Sequence, residues 1–565
     1  MKCPRFFVAA TLFATALFSA AVQAAPGESV VLPNADFEAA PFEASQLPEG
    51  WSAYQWGPSD SDFQSRREAG AGRDGGVAIA ARNKAPLAKA GIYTHVRMKP
   101  GRYELSVWAR AEKGKTARVA IYLASSYSRQ FKVGDEWTLL RFQNTLTEPM
   151  EKAEINIQNA SGALNTVWFD DIALKQVAEV QYKIVPDARA KKDRPRTLVF
   201  SPINVNYLRE TAPLWAQRGF GGFLFDQIMG DWSSDVWAVD GDPKTRGEND
   251  KLLQETLACN RACAAVGIDA NFVKVALYNE WPDPFDEAAW KQIAENFRQG
   301  ARFAKMSESK GVAIDTEYIA QVYQPTWPGY AKNPQPLPAL KSKIEARWHT
   351  ILAGMLREFP DMELLTLPEG VHHYGELYSD LFRGLVGAMA DARAPGGIHV
   401  MTEGTYHTTN LGGLETYAKD VNAEINEVLS PSQLAYWKTR GTIILGAWPL
   451  GYYRQLGTEN GEPVYGGRKE IFGDQPVGSY ADKSEWYRPE VFATQMAGLH
   501  SFNPKYNWIY AHGAVFYQWS ESDKAKYLAG AHQAASNATL PVVANLDAYF
   551  KSIEQPGLAV KVPEK

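Results

Sequence analysis

Two carboxylic acids lie close together after a short apolar stretch in the middle of the chain. The stretch KGVAIDTEYIAQVY covers residues 310–323, and in it Asp315 and Glu317 follow the apolar run GVAI at a spacing of two residues. On a β-strand, residues two apart point to the same face. Two carboxylates held side by side resist joint ionisation, so one of them keeps a proton near neutral pH. The pair therefore predicts a site for proton transfer.

Other charged and aromatic residues follow further apolar runs in the same half of the chain. They are Asp226, Glu369, Glu403, Lys274, Trp448 and His512. Acids that follow apolar runs are costly to bury unless they are paired or functional. One or two of these acids could instead be structural partners of Lys274, Arg454 or His512, and the sequence allows both readings.

Cleavage of a glycosidic bond requires this set of residues. One carboxylic acid protonates the leaving oxygen, and a second carboxylate attacks the sugar, activates water or orients a substrate group. We expect Glu317 to be the proton donor, with Asp315 beside it to adjust and orient that proton. The second acid is expected to be Glu403 or, after it, Glu369.

Long loops rich in aromatic residues follow two of the runs, at 318–338 and from residue 448 onward. Loops this long in a compact domain are usually functional, and aromatic rings suit the flat faces of sugars. The alternative is that the rings only hold their own loops in place. The predicted substrate contacts are the rings Trp327, Trp448 and Tyr452 and the polar residues Asp226, Lys274 and His512.

A regular scaffold must position these residues, and eight apolar runs beyond residue 196 predict one. The runs are 196–203, 222–228, 269–277, 311–319, 363–370, 397–406, 441–450 and 506–516. Amphipathic helices separate them, one of which is predicted to open on Asp286 as N-cap and to stop at Gly311. Apolar strands that are each followed by a helix predict a parallel sheet covered on its outer face, and eight such units predict a (β/α)8, or TIM, barrel. An open doubly wound sheet is the alternative, but no glycine-rich fingerprint follows the first run.

The letters IDTE at the end of the fourth run resemble the D-x-E motif of chitinase-like (family 18) glycoside hydrolases. The resemblance covers a few residues, and it implies a glycoside hydrolase with Glu317 as its acid. The fuller family motif has another Asp where this chain has Ala313. That departure puts a mechanism assisted by the acetamido group of the sugar in doubt and calls for a second protein acid.

A competing pair of carboxylates consists of Glu280, in LYNEWPD, and Glu403, in MTEG. The pair resembles the acid/base and nucleophile of the large clan of retaining glycosidases whose glutamates lie on the fourth and seventh barrel strands. In this chain the two residues follow the third and sixth runs. The resemblance would require an extra strand before residue 196, for which VQYKIVP is the one stretch available; we favour a loop position for Glu280.

The first part of the chain, residues 26–178, consists of short strand-like runs separated by turn signals. Alternation of period two is plain in RYELSVWA, and KPGR is turn chemistry between two runs. Many short strands at this spacing predict an antiparallel β-sandwich.

The two ends of this segment, LPNADFEAAPFEASQLPEGWSAY and VWFDDIAL, resemble those of carbohydrate-binding modules of the family 4/9/22 jelly-roll type. The residues that carry the resemblance are Asn34, Phe37, Glu38, Gly50, Trp51, Asp170 and Asp171. The first and last strands of such modules often share a structural calcium ion, which implies Glu38 and Asp171 as oxygen ligands; otherwise these acids cap strand ends. Exposed rings would bind sugar, and the candidates are Trp56, Tyr93, Tyr122, Tyr127 and Trp137. A module that only braces its neighbour is the alternative.

The remaining segments complete the predicted organisation. Residues 1–24 read as a secretory signal peptide, with a cationic start, an apolar stretch and the small-residue ending VQA. Residues 179–196 are charged and aperiodic, which indicates a linker before a barrel at 197–565. The mature protein is expected to be secreted or periplasmic. Cys259 and Cys263 then remain, either as a local bridge or as buried thiols.

Composition excludes some classes of partner. The formal net charge is −5 and the isoelectric point is near 6.1, so neither nucleic acid nor an anionic membrane is an expected partner. We expect a monomer without a catalytic cofactor. The sequence therefore predicts an exported glycoside hydrolase acting on a polysaccharide or oligosaccharide. The alternatives are a degenerate barrel that binds polysaccharide without cleaving it, and a lyase acting on uronic polymers.

Overall fold

The structure of the chain is a computed structural model. It describes residues 29–38, 46–56, 63–85, 88–124, 126–146, 149–161, 164–200, 203–225, 250–276, 282–316, 336–367, 377–406, 408, 410–449, 454–459, 462–466, 489–510 and 546–562.

The N-terminal part consists of two antiparallel sheets. The strands among its described residues are β1 (Ser29–Val30), β2 (Ser52–Trp56), β3 (Phe63–Ala69), β4 (Val77–Asn83), β5 (Lys89–Met98), β6 (Gly101–Ala111), β7 (Ala117–Leu123), β8 (Ser126–Tyr127), β9 (Phe131–Val133), β10 (Thr138–Leu146), β11 (Met150–Asn159) and β12 (Asn165–Ala178). The first sheet has the order β10-β6-β12-β4-β3, with β1 added to β12, and the second has the order β2-β5-β11-β7-β8, with β9 added to β7.

Alternation along the strands explains why these two sheets share one core. In β6 every second residue is buried, and Leu105, Val107 and Ala109 are fully covered. In the second sheet Ile92, Ile121 and Ile157 are likewise fully buried. The buried residues of the two sheets belong to one continuous apolar cluster. The period-two pattern of RYELSVWA is therefore the signature of a sheet with one face on the core.

The interval predicted as a linker contains regular structure. Strand β13 (Gln181–Pro186) pairs antiparallel with β24 (Gly557–Val562), at the other end of the chain. Asp187 follows it, with a fully buried side chain that makes ion pairs with Arg189 at 2.9 Å and Arg194 at 3.5 Å. The stretch VQYKIVP thus forms a strand outside the barrel, and the extra barrel strand that the Glu280–Glu403 pairing requires is not found there.

The C-terminal part contains a closed barrel of eight parallel strands. They are β14 (Arg196–Phe200), β15 (Phe220–Phe225), β16 (Phe272–Ala276), β17 (Gly311–Asp315), β18 (Glu363–Leu367), β19 (Ile398–Thr402), β20 (Gly441–Ala447) and β23 (Tyr506–Tyr510), in chain order around the barrel. Seven of the eight predicted runs contain one of these strands, and the run 222–228 overlaps β15, which begins two residues earlier. A separate hairpin, β21 (Arg454–Glu459) with β22 (Glu462–Gly466), follows β20.

The described helices pack their apolar faces around the barrel in one large cluster. They are α1 (Val205–Gln217), α2 (Asp250–Ala265), α3 (Glu287–Met306), α4 (Leu337–Glu358), α5 (Tyr378–Asp391), α6 (Leu411–Val428), α7 (Pro431–Arg440), α8 (Pro489–Phe502) and α9 (Leu546–Glu554). Asp286 caps α3 as predicted, because its carboxylate accepts a hydrogen bond from Ala289 N at 3.0 Å. The helix ends at Met306 rather than near Gly311, because Glu308 takes a left-handed conformation with φ 57°. None of the described helices is long and apolar enough to cross a membrane.

Cys259 and Cys263 are free, buried thiols on α2, which excludes the local bridge.

The barrel interior is layered. Leu198, Phe272, Leu365, Met401 and Trp508 fill the middle. A polar layer lies at the amino-terminal ends of the strands and a charged and aromatic layer at their carboxyl ends. In barrels of this type the carboxyl ends carry the chemistry, whereas the amino-terminal ends contribute stability.

Candidate active site

Several predicted site residues lie outside the part of the chain that the structure describes. They are Asp226, Glu280, Glu317, Trp327, Glu369, Tyr452 and His512. Their roles stay predictions. The described residues of the barrel opening are Lys274, Asp315, Glu403 and Trp448, together with rings that the sequence reading did not single out.

Lys274, the middle residue of β16, and Asp315, the last residue of the neighbouring β17, form a buried ion pair inside the barrel. Lys274 Nζ lies 3.2 Å from Asp315 Oδ2, with the lysine side chain fully buried and the aspartate side chain 10% exposed. The same ammonium lies 4.3 Å from the ring centroid of Phe200, at the end of the first barrel strand. The pairing of an acid at this opening with Lys274, which the sequence allowed, is thus observed for Asp315; the predicted role of Asp315 beside Glu317 stays a prediction.

This pair has a definite electrostatic consequence. The ammonium of Lys274 compensates the charge of Asp315 inside the barrel. A buried pair of this kind contributes little net stability, yet removal of one partner leaves an uncompensated charge.

Aromatic rings form a wall on the other side of the same opening. Tyr406 and Tyr510 are stacked, with centroids 5.8 Å apart and planes at 10°. Trp448 lies edge-on to both rings, at 5.5 Å from Tyr406 and 4.7 Å from Tyr510. Tyr510 also contacts Phe200, at 5.2 Å. The wall therefore reaches the Lys274–Asp315 pair.

Tyr406 and Tyr510 were missed by the sequence analysis, although a signal for one of them exists. In YNWIY the residues Tyr506, Trp508 and Tyr510 alternate along one strand, and all three belong to the cluster inside the barrel. Inward alternation in a barrel strand would have placed Tyr510 at the opening. Tyr406 lies in a turn after β19, where no such periodicity applies.

Glu403 directly follows the sixth barrel strand and is half-buried. Its carbonyl accepts a hydrogen bond from Tyr406 N at 2.9 Å, which closes a tight turn. The hydroxyl of Thr405 donates to Gly446 O at 2.8 Å and accepts from Gly446 N at 3.0 Å, so the turn is tied to the seventh strand. The backbone that carries Glu403 is therefore held on two sides.

The fourth and fifth strands also meet at this opening. Asp315 and Leu367 are register partners, and Thr316 N donates to Leu367 O at 2.6 Å. The Thr316 hydroxyl additionally contacts Tyr378 OH at 2.7 Å. Glu317, the predicted proton donor, is the next residue after Thr316. The residue before it is therefore held to the fifth strand by a backbone hydrogen bond.

A second acid inside the barrel has a different role. Glu363, at the amino-terminal end of the fifth strand, accepts from Tyr506 OH at 2.7 Å and pairs with Lys505 at 2.9 Å and His399 at 3.3 Å. Burial alone would raise the pKa of Glu363, but the hydrogen bonds from His399 and Lys505 lower it to about 2. A carboxylate that stays ionised on the stability side of the barrel is a structural group.

In the N-terminal part, Glu38 and Asp171 each make a protein contact. Glu38 Oε1 accepts from Val77 N at 2.6 Å, and Asp171 Oδ2 pairs with Arg73 at 3.0 Å. Asp170 lies with them: burial raises its pKa, hydrogen bonds from Arg73 N and Asp171 N oppose this, and the charges of Asp171 and Glu38 raise it further. Three carboxylates of like charge suit a hard cation, although among the described residues no group of three or more His, Cys, Asp or Glu has the arrangement of a metal site.

A row of residues crosses the outer face of the second sheet. Tyr93 and Tyr122 are the register partners of Asn156 on either side of the central strand β11. Asn156 is 1% exposed, donates to Glu154 Oε1 at 3.1 Å, and turns away from the isoleucine core. Two half-buried rings with an amide between them form a candidate sugar platform. The side chains of Trp56 and Tyr127 lie outside the described residues.

The fifth predicted ring, Trp137, lies on the other sheet and is covered by a cation. The guanidinium of Arg110 lies between Trp137, at 5.1 Å, and Trp168, at 4.4 Å. These rings stack with a side chain of their own sheet. They are poorer candidates for a sugar platform than Tyr93 and Tyr122.

Comparison with known proteins gives distant structural likenesses. No protein-family model and no curated protein matches the chain. The family 22 xylan-binding domain of Paenibacillus barcinonensis Xyn10C matches at 15% identity and TM-score 0.22, over 27% of this chain and 98% of that one. The carbohydrate-binding and family 10 catalytic modules of Clostridium thermocellum xylanase 10B, solved with xylohexaose, match at 11% identity and TM-score 0.32, over 89% of this chain and 94% of that one. A family 61 carbohydrate-binding module in complex with β-1,4-galactotriose matches at 16% identity and TM-score 0.20, over 26% of this chain and 97% of that one.

Proposed function

We propose that the chain is a glycoside hydrolase that cleaves O-glycosidic bonds of a polysaccharide at the carboxyl end of its barrel. The observation that carries the proposal is the composition of the opening. The Lys274–Asp315 pair faces a wall of Tyr406, Trp448 and Tyr510, and the half-buried Glu403 follows the neighbouring strand end. Carboxylates beside flat aromatic surfaces suit a sugar chain.

The proposal assigns the steps to named residues. Glu317 donates a proton to the oxygen that leaves with one half of the chain, and Glu403 attacks the anomeric carbon or activates a water molecule there. Asp315, which is ion-paired with Lys274, has the proposed role of adjusting and orienting the proton of Glu317. Glu369 is the reserve candidate for the second acid, and Asp226, Trp327, Tyr452 and His512 are proposed substrate contacts.

The experiment is hydrolysis of a panel of plant and bacterial glycans by the purified protein, with release of reducing ends as the readout. Substitution of Glu317→Gln removes the proton donor and keeps the shape, so turnover should fall by ~10²–10⁴-fold while substrate still binds. A wild-type protein that binds a glycan without releasing reducing ends would favour the non-catalytic alternative. A product that absorbs in the ultraviolet would indicate a lyase.

A second function, sugar binding by the N-terminal part, is favoured by the row Tyr93–Asn156–Tyr122. The two rings are register partners of the same buried amide. Rings on alternate strands lie about 10 Å apart, a spacing that lets two sugar units of one chain stack at once. We propose that this row binds the same polysaccharide that the barrel cleaves.

The proposal extends to the setting of the protein. We propose export through the signal peptide at residues 1–24 and a structural calcium ion held by Glu38 and Asp171. We further propose a monomer with no nucleic-acid or membrane partner. Sequencing of the N-terminus of the exported protein tests the first of these proposals, because cleavage is expected after Ala24.

A further inference from the structure

The N-terminal part docks on one helix of the barrel, α6. The amide of Gln130, after β8, donates to Glu424 Oε1 at 2.9 Å in a buried hydrogen bond. The neighbouring Arg129 pairs with Glu427 through its guanidinium and reaches Asp420 through its backbone N–H. Three carboxylates at helical spacing on α6 thus meet two backbone donors and one cation of the strand-rich part.

The same helix is contacted again near its first turn. Gly412 is the second residue of α6 and is buried. A Cβ atom at this position would lie 2.3 Å from Thr145 O and 2.4 Å from Thr145 Cβ, at the end of β10. Only glycine permits this approach, because any side chain would push the two parts of the chain apart.

The first turn of α6 continues into the segment that carries Glu403. Asn410 caps the helix by accepting from Gly413 N at 2.6 Å. On the barrel side the buried amide of Gln495 donates to Thr405 O and Thr408 O, each at 3.1 Å. Thr405 and Thr408, which lie between Glu403 and α6, are therefore held by Gln495 from the barrel, and α6 itself is held by the N-terminal part.

We infer that the N-terminal part positions Glu403, acting through α6, with Glu424 and Gly412 as positioning residues. The inference rests on the proposed function, because Glu403 is its second carboxylate. A fixed helix start sets the distance from the Glu403 carboxylate to the reacting carbon. Misplacement of a catalytic group by about 1 Å costs up to ~10²-fold in rate.

The first test compares two glycine variants of the full-length protein. Gly412→Ala introduces the clash with Thr145, whereas Gly354→Ala places the same methyl group near the carboxyl end of α4, where the nearest atom is the flexible Arg357 Nη2 at 3.6 Å. Gly412→Ala should lower kcat by ~10-fold and change KM by less than about twofold, because the displaced group acts in the transition state. Gly354→Ala should match the wild type.

The second test uses the hydrogen bond at the other end of α6. Glu424→Ala removes the acceptor of Gln130 N, whereas Glu424→Gln keeps an acceptor oxygen at the same place. Hydrogen exchange of the amides of Thr405 and Tyr406 should accelerate in Glu424→Ala and return to the wild-type rate in Glu424→Gln. This readout does not require that the protein cleave any glycan.

The outcomes separate the two proposals. Slower turnover and faster exchange in both Gly412→Ala and Glu424→Ala support the inference. Wild-type turnover and wild-type exchange in folded Gly412→Ala and Glu424→Ala overturn it. If the wild-type protein cleaves no glycan, the proposed function fails, and hydrogen exchange alone decides whether the N-terminal part holds the Glu403 segment.

Discussion

Lys274 and Asp315 compensate each other inside the barrel, and the two side chains are 0% and 10% exposed. The proximity of the two residues was within reach of sequence analysis, since they lie on neighbouring strands of a parallel barrel. The ion pair itself was not, because it depends on a distance of 3.2 Å between two side chains.

Removal of one member of this pair should destabilise the protein more than removal of both. Lys274→Met leaves the Asp315 charge buried alone, which costs about 3–5 kcal/mol, whereas Lys274→Met with Asp315→Leu should recover most of that loss. Thermal unfolding measures both. The exposed pair Arg261–Glu308 is the control, and Glu308→Ala should leave Tm unchanged. Equal stability of the single and double variants would contradict this account.

Asp420 makes the contact with the N-terminal part sensitive to pH. Burial raises the pKa of Asp420 to about 7, against hydrogen bonding and charge from Arg129, which lower it. The folded protein therefore binds this proton more tightly than the unfolded chain, and stability falls as the pH rises from about 4 to about 7.

Asp420→Asn removes this titration. The Tm of the variant should therefore fall less between pH 5 and pH 8 than the Tm of the wild type. At pH 8 it should be more stable than the wild type, since it carries no buried charge. Thermal unfolding across that range is the measurement. If the Tm of the wild type and the Tm of the variant changed with pH in parallel, Asp420 would not titrate in this interval.

At the scale of elements, the strands that can be predicted from the sequence are those that are buried. The barrel strands are readable from the sequence because they are covered on both faces; β15 is buried at all six positions. Strand β13 was not foreseen, because its partner β24 lies at the opposite end of the chain and its own residues are mostly exposed. Docking on α6 was equally hidden, since Gly412 and Glu424 look like ordinary helix residues until Thr145 and Gln130 are placed against them.

The row on the second sheet gives a prediction for sugar binding. The test is made in the Glu317→Gln variant, which is expected to bind glycan without cleaving it. In that protein Tyr122→Ala removes one of the two rings and should weaken glycan binding by ~10-fold, as loss of an anchor ring usually does. Trp137→Ala, on the other sheet, should leave it unchanged, because Arg110 already covers that ring. Isothermal titration measures both. If Trp137→Ala weakened glycan binding and Tyr122→Ala did not, the sugar-binding face would lie on the first sheet.

At the scale of the whole molecule, the two parts are connected at several places rather than by a flexible linker. Asp187 is buried among arginines after β13, Tyr182 donates to Glu415 at 2.5 Å, and Gln130 meets Glu424. Contacts of this kind make joint unfolding of the two parts the expectation.

The calcium proposal concerns this joint stability. Removal of calcium by a chelator should lower Tm, because the charges of Glu38 and Asp171 would lose their counterion next to the buried Asp170. Glu38→Gln should lower Tm itself and make the chelator ineffective. If the chelator leaves the Tm of the wild type unchanged, calcium does not stabilise this region. The charge of Asp171 would then be balanced by its ion pair with Arg73.

The proposed glycoside cleavage depends most directly on Glu403 as the second carboxylate at the barrel opening. The decisive measurement is the rate of reducing-end release by Glu403→Gln on the best glycan substrate, with Glu363→Gln as the control for loss of an acid elsewhere in the barrel. The account predicts a loss of ~10²–10⁴-fold for Glu403→Gln and wild-type turnover for folded Glu363→Gln. Full activity of Glu403→Gln would contradict it.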